Sequence, residues 1–442
     1  MASKKTAHSE GFVYNIEPIL SIVSRSHGSG MVPLYKYATV SVHMKKVIVD
    51  EQKIDELLSR GVSEVLVRED LKKKLMSGKR LRVKLGIDPT SPHIHIGRSI
   101  PLLKLRDFEE LGHQVVLIVG DFTGLIGDTS DKESERPMLD KKVIDQNKKS
   151  YFAQVAKIID TKKAELHYNS AWLGKLKYAD IGAHADVFSV ADFIARENIA
   201  KRLEKGSRVS LRELLYPLMQ GYDSVAIKAD VELGGTDQKF NVLAGRPLQE
   251  KYGQEAQNVI LNPLINGLDG RKMSSSWGNV INLETEAPDM YGKVMSMADT
   301  EIVTYFNVVT RVPLTDVHEI ERALKAGMNP RDAKMKLARE IVRMYHGEKA
   351  AGGAEAAFIA TFQEKSIPDD IPTVKVKDSS LLPDAFVKAG VVASKSELTR
   401  LLQAGGVRHA ESGEKIIAVS EIKKGESVLK VGKRRFVKVV VG

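Results

Sequence analysis

The chain has 442 residues, of which 43% are hydrophobic and none is cysteine. A chain of this length and composition can bury sizeable cores, and two to four domains are expected. The lack of cysteine excludes disulfides, thiolate metal sites and thiol nucleophiles, and it suits the reducing cytoplasm. No apolar run approaches the roughly 18 residues of a membrane span, so we expect neither secretion nor membrane insertion.

The formal net charge is +10, and its excess lies mainly at the C-terminal end. Residues 371–442 hold 14 Lys and Arg against 7 Asp and Glu, a balance of +7. Clustered cations favour a polyanionic partner because binding releases counterions. A solvated basic surface without a partner is the alternative interpretation.

The first elements predicted along the chain are an extension and a run of helices. Residues 1–43 show no sustained hydrophobic period, which predicts a poorly ordered N-terminal extension. From Val47 onward, helical spacing predicts amphipathic helices on the apolar residues Ile54, Leu57, Leu58, Val62, Val65, Leu66, Leu71 and Leu75.

Residues 81–119 follow the order strand, turn, helix, strand. The pattern predicts a strand over 81–87, a turn over 88–92, a helix over 97–111 that stops at Gly112, and a buried strand over 115–119. This order indicates an α/β protein with a Rossmann-like, doubly wound parallel sheet. Ligands of such sheets bind beyond the carboxyl ends of the strands.

The remaining elements are mainly helical. Residues 141–205 and 212–256 read as helices, and 259–264 reads as another buried strand. Residues 285–362 form a helical pattern, in which Pro330 opens a helix that ends at Gly347. A Pro-rich linker over 367–372 precedes the basic tail.

The stretch PTSPHIHIGR, residues 89–98, offers three interpretations for its two histidines. His93 and His95 could share a metal ion, but such a site needs further ligands and no second histidine pair occurs. Both could instead fill space in the core. A phosphate site explains more, because a helix N-terminus offers unpaired N–H groups and Gly97 permits close approach.

A second stretch, GLDGRKMSSSWGN, gives this interpretation weight. Lys272 and the serines 274–276 lie in a loop bounded by glycines, where a cation and hydroxyls could close over phosphates. An exposed serine-rich loop with one lysine is the alternative.

The two stretches resemble the signatures of class I aminoacyl-tRNA synthetases, His-Ile-Gly-His and Lys-Met-Ser-Lys-Ser. Here they read His95-Ile96-Gly97-Arg98 and Lys272-Met273-Ser274-Ser275-Ser276. More narrowly, residues 45–442 resemble bacterial-type tyrosyl-tRNA synthetases, through GIDPT, GDFTGLIGDTSDKESER, YPLMQGYD and GGTDQ.

The resemblance implies activation of tyrosine by attack of its carboxylate on the α-phosphate of ATP, followed by transfer to the 3′ end of tRNA(Tyr). Magnesium would arrive with ATP, with no dedicated metal site on the protein. The implied catalytic residues are Thr90, His95, Arg98, Lys132, Arg136, Lys272, Ser274 and Ser275. The implied ATP site comprises Gly86, Asp88, Thr90, His95, Gly97, Arg98, Asp237, Lys272, Met273, Ser274, Ser275 and Ser276. The implied tyrosine site comprises Gly86, Thr123, Asp128, Tyr216, Gln220, Asp223 and Gln238.

Helix geometry supports the tyrosine site independently. Tyr216, Gln220 and Asp223 have the spacing i, i+4 and i+7, so one helix would present all three on one face. An inward carboxylate and amide need partners, which a phenolic hydroxyl and an ammonium group would supply.

Three positions depart from the family pattern. Arg98 replaces the second histidine of the first signature, and Ser275 replaces the second lysine of the other, so Lys272 is expected to carry more of the charge. Lys84 stands where many relatives have a tyrosine that contacts the substrate hydroxyl. Asp223 is therefore expected to be the main group that recognises the phenol.

The basic tail resembles a small RNA-binding module found in a ribosomal protein and in many tyrosyl-tRNA synthetases. Its pattern predicts two short helices over 380–406, the second opened by the capping box Ser394-x-x-Glu397, and β-segments near Val407, Ile416 and 428–441. Cations expected to meet tRNA phosphates are Lys395, Arg400, Arg408, Lys433, Arg434 and Arg435. Phe436 is the one aromatic residue nearby, so base stacking is expected to be minor.

The expected organisation is an extension (1–43), a class I catalytic domain (44–282), a helical anticodon-side domain with linker (283–372) and an RNA-binding domain (373–442). Family resemblance also implies a homodimer. A nucleotidyltransferase with a related His-x-Gly-His loop is one alternative, but it would lack the 272–276 loop and the tail. A catalytically inactive RNA-binding protein is the other.

Overall fold

A computed structural model describes residues 46–129, 138–362, 370–410, 412–432 and 435–442. The extension predicted over 1–43 lies outside these residues. Across the described part of the chain, no helix is both long enough and apolar enough to cross a membrane.

The larger sheet of the described residues contains six strands: β1 (Glu64–Leu66), β2 (Arg82–Ile87), β3 (Gln114–Val119), β4 (Glu165–Tyr168), β5 (Val231–Gly235) and β6 (Asn258–Asn262). Their spatial order is β1-β6-β5-β2-β3-β4. Strands β2 to β6 run parallel, whereas β1 pairs antiparallel with β6. The α/β class is confirmed, and the sheet is mixed rather than wholly parallel.

Helices cover both faces of this sheet and continue beyond its last strand. The helices that precede β6 in the sequence are α1 (Glu51–Ser59), α2 (Arg68–Met76), α3 (Ile96–Glu110), α4 (Thr123–Ile126), α5 (Lys141–Val155), α6 (Ser170–Leu173), α7 (Tyr178–Ala185), α8 (Val190–Ile194), α9 (Glu197–Glu204), α10 (Leu211–Ile227), α11 (Lys239–Leu243) and α12 (Gly245–Lys251). Those that follow β6 are α13 (Ala287–Ser296), α14 (Ile302–Val309), α15 (Leu314–Lys325), α16 (Pro330–His346) and α17 (Glu348–Phe362).

Several predicted elements are confirmed nearly to the residue. The strands over 81–87 and 115–119 and the helix over 97–111 correspond to β2, β3 and α3. Helix α16 begins at Pro330 and is followed by Gly347 with a φ of 84°, a conformation that glycine adopts without strain.

One prediction of helix is wrong. Val62, Val65 and Leu66 were expected on a helix, but α1 ends before Gly61, whose φ is 58°, and Val65 pairs with Ile260 across the edge of the sheet. The prediction that 141–205 and 212–256 are mainly helical is confirmed by α5 to α12, but it omits β4 and β5. Strand β5 has the sequence VELGG. It lacks the continuous apolar run expected of a buried strand, because it contains one charged residue and two glycines.

The helices after β6 share one apolar core with the sheet. Leu103 of α3, Tyr305 of α14 and Leu337 of α16 belong to the same cluster of buried residues. The Arg311 guanidinium also pairs with the Asp107 carboxylate of α3 at 2.7 Å. The helical segment is therefore packed directly on the α/β unit.

The C-terminal residues form a second, separate core. Their elements are β7 (Thr373–Val376), α18 (Leu382–Lys388), α19 (Lys395–Gln403), β8 (Val407–His409), β9 (Lys415–Ile416), β10 (Gly425–Val431) and β11 (Arg435–Val441). The sheet order is β7-β11-β10-β8-β9, with β7 parallel to β11. The predicted cap is confirmed, because the Ser394 side chain accepts a hydrogen bond from the Glu397 N–H. Strand β7 was not predicted.

The parallel strands deliver polar residues to one edge of the larger sheet. Asp88 follows β2, Asn169 follows β4 and Asp237 follows β5. The chain leaves β2 towards β3 and β4 and later returns to β5 and β6 on the other side of β2. The topological switch point therefore lies beside β2, where α/β sheets bind their ligands.

Candidate active site

A cavity of about 290 Å³ opens at the carboxyl edge of the sheet. Every predicted ATP-site and tyrosine-site residue lines it: Gly86, Asp88, Thr90, His95, Gly97, Arg98, Thr123, Asp128, Tyr216, Gln220, Asp223, Asp237, Gln238, Lys272, Met273, Ser274, Ser275 and Ser276. Two predicted catalytic residues, Lys132 and Arg136, lie outside the described residues. The two signature stretches thus face one space.

Gly97 is the point at which the two signatures touch. A Cβ atom at this position would lie 3.1 Å from His95 Nδ1 and 3.2 Å from Met273 Sδ. A Cβ atom would make both contacts unusually tight, so His95 and Met273 would each have to shift by a few tenths of an ångström. A backbone hydrogen bond also joins the start of α3 to the segment that follows the lysine loop, because the Ile96 N–H donates to the Ile281 carbonyl at 2.9 Å.

His95 caps helix α3 and is held neutral. Its Nδ1 accepts from the Arg98 N–H at 3.4 Å. Burial, together with the charges of Arg98 and Lys272, lowers the pKa of His95 to about 3. Because Nδ1 is the acceptor, the proton of the neutral ring resides on Nε2, which is then a hydrogen-bond donor near neutral pH.

His93 has a different environment. Its Nδ1 lies 2.9 Å from the Glu284 carboxylate, and the ring is exposed. No cluster of three His, Asp or Glu residues suited to a metal ion occurs within the described ranges. The two histidines of the His-x-His pair therefore serve separate contacts, and only His95 lines the cavity.

Arg98, the departure in the first signature, supports the turn before α3. Its guanidinium donates to the Thr90 hydroxyl at 3.3 Å and to the Tyr151 hydroxyl at 3.4 Å. The cation therefore lies in the cavity wall beside Thr90, where a phosphate would offset its unfavourable position at a helix N-terminus.

Lys272 is engaged with the opposite wall. Its ammonium lies 2.8 Å from the Asp237 carboxylate. The loop around it is organised by the buried Asn279, whose amide donates to the Lys272 carbonyl at 3.1 Å and accepts from the Ser274 N–H at 2.8 Å. Ser275 and Ser276 remain exposed at the rim.

Asp88 joins the two halves of the cavity. Its two oxygens accept from the Thr123 hydroxyl at 2.7 Å and from the Tyr216 hydroxyl at 2.8 Å. Removal from water, reinforced by the charge of Asp128, raises the pKa of Asp88 to about 6. Gly120 makes room for this arrangement, because a Cβ there would lie 2.0 Å from Asp88 Oδ1.

Helix α10 presents the three predicted tyrosine-site residues together, as their spacing required. Asp223 is the most enclosed, at 4% exposure. Its oxygens accept from Trp172 Nε1 at 2.7 Å and from Asn169 Nδ2 at 3.2 Å. Burial raises the pKa of Asp223 to about 7, although the charge of Lys84 and both hydrogen bonds oppose the rise.

Asp128 faces the same space from the loop after α4. Its carboxylate accepts from Gln238 Nε2 at 2.7 Å and from Asn241 Nδ2 at 3.3 Å. This carboxylate and Gln220 line the same cavity, and a carboxylate can accept a hydrogen bond from an ammonium group.

Four residues that organise the site were missed at the sequence level: Asn169, Trp172, Asn241 and Asn279. Asn169 and Trp172 follow β4, the strand that the helical reading of 141–205 concealed. Had β4 been recognised, the carboxyl-edge rule would have drawn attention to Asn169. Asn241 and Asn279 carry no comparable signal.

The predicted tRNA-binding cations of the tail have unequal surroundings. Arg400 and Arg408 are exposed, whereas Lys395 is exposed but lies 2.6 Å from Asp384. Arg435 donates to the Val391 carbonyl and to Glu397, both at 2.6 Å, and so holds its own module together, while its contact with a tRNA phosphate stays a prediction. Lys433 and Arg434 lie outside the described residues.

Comparison with known proteins shows the family to which the chain belongs. Residues 76–363 match a family model described as "tRNA synthetases class I (W and Y)". A tyrosine--tRNA ligase of Carboxydothermus hydrogenoformans is 46% identical over 406 residues, covering 89% of this chain and 99% of that protein. One from Thermotoga maritima is 45% identical over 391 residues, covering 88% and 97%.

Solved structures share the fold at lower identity. A C-terminally truncated mitochondrial tyrosyl-tRNA synthetase of Coccidioides posadasii has a TM-score of 0.58 and 24% identity, covering 69% of this chain and 91% of that one. A tyrosyl-tRNA synthetase of Archaeoglobus fulgidus, complexed with L-tyrosine, has a TM-score of 0.56 and 21% identity, covering 69% and 100%.

The α/β fold and its two signature stretches therefore define a class I aminoacyl-tRNA synthetase. Within that class, identity of 43–46% over most of the chain shows that it belongs to the bacterial-type tyrosyl-tRNA synthetases.

Burial of Asp223 predicts a pH-dependent effect on stability. Since its pKa is about 7 in the folded state and 3.8 ordinarily, the folded protein keeps a proton that the unfolded chain releases between these pH values. The contribution of Asp223 to the free energy of unfolding therefore falls as pH rises through this window. Asp223→Asn removes this titration, although its amide has only one oxygen for the two donors. Between pH 4 and pH 8 the stability of the variant relative to the parent should therefore rise by more than about 1 kcal/mol, the worth of roughly one pKa unit.

Urea unfolding of the two proteins at pH 4 and pH 8 provides the measurement. The loss of one acceptor acts at both pH values, so the change in the stability difference between pH 4 and pH 8 reports the proton held by Asp223. An equal difference at both pH values would contradict the assignment of a raised pKa.

Proposed function

We propose that this protein activates L-tyrosine with ATP to tyrosyl-adenylate and transfers the tyrosyl group to the 3′ end of tRNA(Tyr) in translation. Membership of the family supports the reaction. The observation that supports the proposal for this chain most directly is that a single cavity is lined both by Asp223 and by the contacting residues Gly97 and Met273.

The tyrosine end supplies a partner for each polar group of the substrate. The phenolic hydroxyl donates to Asp223, whose carboxylate has acceptor positions beyond those used by Trp172 and Asn169. The ammonium group is accepted by Asp128 and Gln220. Thr123, Tyr216 and Gln238 complete the pocket, and Gly86 leaves its floor open.

The nucleotide end supplies groups for the triphosphate. A carboxylate oxygen of tyrosine attacks the α-phosphorus of ATP, and the bond to the bridging oxygen breaks so that pyrophosphate leaves with the electron pair. The protein positions the reactants and stabilises the charge that moves onto pyrophosphate. Neutral His95 donates through Nε2, Thr90 donates its hydroxyl, and Lys272 exchanges Asp237 for phosphate oxygens.

Further groups are assigned by family resemblance. Lys132 and Arg136 contact the pyrophosphate, Asp237 and Met273 lie along the nucleotide, and the serines 274–276 close over the phosphates. Magnesium enters as part of the ATP substrate.

The proposal also covers tRNA binding for the transfer step, the cellular compartment and the oligomeric state. The module from 373 to 442 holds tRNA through its exposed cations, among them Arg400 and Arg408. The protein acts in the cytoplasm as a homodimer, in which a second copy covers exposed apolar side chains such as Tyr178, Val190 and Leu211.

A catalytically inactive RNA-binding protein is the weaker candidate. Its basis is the departure from the signatures at Arg98 and Ser275, but Arg98 donates to Thr90, and Ser275 lines the same cavity as His95, Gly97 and Lys272.

Lys272→Ala tests the proposal through tyrosine-dependent exchange of pyrophosphate into ATP. With serine at 275, Lys272 is the signature cation nearest the expected pyrophosphate, so its removal should lower the exchange rate by roughly 10²–10³-fold. Lys325→Ala, an exposed lysine paired with Glu321 on α15, serves as control and should change the rate less than twofold. A drop of less than fivefold for Lys272→Ala would refute the assigned role.

Arg400→Glu tests the tail. Reversal of an exposed charge should raise the KM for tRNA at least tenfold at low salt, and the defect should grow smaller as salt rises. Tyrosine-dependent exchange without tRNA should stay within twofold of the parent. Equal damage to both activities would contradict the division of labour between the two parts of the chain.

A further inference from the structure

Beneath the tyrosine pocket lies a buried ion pair that the proposed reaction does not use. Lys84 of β2 and Glu232 of β5 are neighbours in the parallel register of the two strands, and their side chains are 0% and 1% exposed. The Lys84 ammonium lies 3.0 Å from Glu232 Oε1. Neither residue lines the cavity.

The hydrogen bonds of Lys84 are fully used. Besides Glu232, its ammonium donates to the Gln220 main-chain carbonyl at 2.9 Å and to the Ser224 hydroxyl at 2.8 Å. These are three donations, the full capacity of a lysine ammonium. Two of them reach helix α10 at the turn that carries the tyrosine-site residues.

The acceptors of Glu232 are equally saturated. Oε1 accepts from Lys84 and from Gln220 Nε2 at 3.1 Å, while Oε2 accepts from the Ser224 hydroxyl at 2.9 Å and from Gln257 Nε2. Four donors converge on one group, and only an ionised carboxylate offers about four acceptor positions without a competing proton. The network is therefore closed, and it requires both charges.

This closed network has a consequence for Gln220. Its side-chain nitrogen is bound to Glu232 and its main-chain carbonyl to Lys84, so the side-chain oxygen Oε1 is left for a ligand in the cavity that Gln220 lines. An amide turned the other way would present N–H groups and repel an ammonium group.

We infer that the Lys84–Glu232 pair is a positioning device for amino-acid recognition, which fixes the Gln220 amide with its oxygen towards the substrate ammonium group. The inference rests on the proposed function and deepens it. Lysine at 84 then supports recognition of the amino group, rather than replacing the hydroxyl contact that many relatives make from this position.

Single substitutions should break the device. In Lys84→Met, Glu232 is a buried carboxylate without a cation, which favours movement of its side chain away from Gln220. In Glu232→Gln, Lys84 is likewise a buried cation without a counter-charge. Each variant should raise the KM for tyrosine at least tenfold and leave the KM for ATP within twofold.

The double variant Lys84→Met/Glu232→Gln provides the rescue. It removes both charges and leaves a glutamine whose oxygen can still accept from Gln220 Nε2, so the KM for tyrosine should return to within about threefold of the parent. Lys79→Met, which removes an exposed lysine paired with Asp230, is the matched control and should alter neither KM by more than twofold.

Two inhibitors identify the group involved. Tyramine and 4-ethylphenol share the phenol and differ in the ammonium group, so the ratio of their inhibition constants against tyrosine isolates recognition of that group. The parent should bind tyramine more tightly than 4-ethylphenol, and either single variant should reduce this preference about tenfold.

Ser224→Ala is the variant to use if the single charge variants do not fold. It removes one donor of the network with little loss of packing, and it should reduce the preference for tyramine about threefold.

The inference is overturned if folded single variants keep the KM for tyrosine and the inhibitor ratio within twofold, if both KM values rise together, or if the double variant shows no recovery. A parent that lacks tyrosine-dependent exchange would instead overturn the proposed function.

Discussion

The hydrogen bonds that Thr123 and Tyr216 donate to Asp88 are the constraint on which the geometry of the cavity depends. They tie the turn after β2, the segment after β3 and helix α10 to one carboxylate. The packing is so close that Gly120 has no room for a Cβ atom, which would lie 2.0 Å from Asp88 Oδ1. Because the start of α3 follows the same turn, the distance between the pocket for the phenol and the site for the phosphates is set by this node.

Around that node, the charged groups of the cavity are engaged with one another. Lys272 is paired with Asp237, Asp128 accepts from Gln238, and His95 is neutral and caps α3. Substrates would exchange these contacts for their own, so the protein need not leave isolated charges in a site of low polarity. The buried Lys84–Glu232 pair follows the same logic one layer deeper, where no ligand reaches and every donor and acceptor is satisfied within the protein.

The sequence predicted those parts of the site whose signal is local. Strands β2 and β3 are short apolar runs, helix α3 is bounded by a turn and a glycine, and the spacing of Tyr216, Gln220 and Asp223 requires one helical face. Strand β5 was missed because its second residue, Glu232, is charged, and the burial of that charge is explained only when its partner, Lys84, is placed beside it. Asn169 and Trp172 were missed with β4 for a related reason, since their value lies in reaching Asp223 from a distant part of the chain. Lys132, Arg136, Lys433 and Arg434 stay predictions from family resemblance.

The central claim is that one cavity holds the phenol at Asp223 and the phosphate between Gly97 and the 272–276 loop. The most direct measurement is a crystal structure of the protein with a non-hydrolysable analogue of tyrosyl-adenylate. The account predicts the phenolic oxygen within hydrogen-bond distance of the Asp223 carboxylate, and the phosphate analogue beside the first turn of α3 and within reach of Lys272. An analogue bound with its phenol directed away from Asp223, or with its nucleotide remote from Gly97 and the lysine loop, would contradict it.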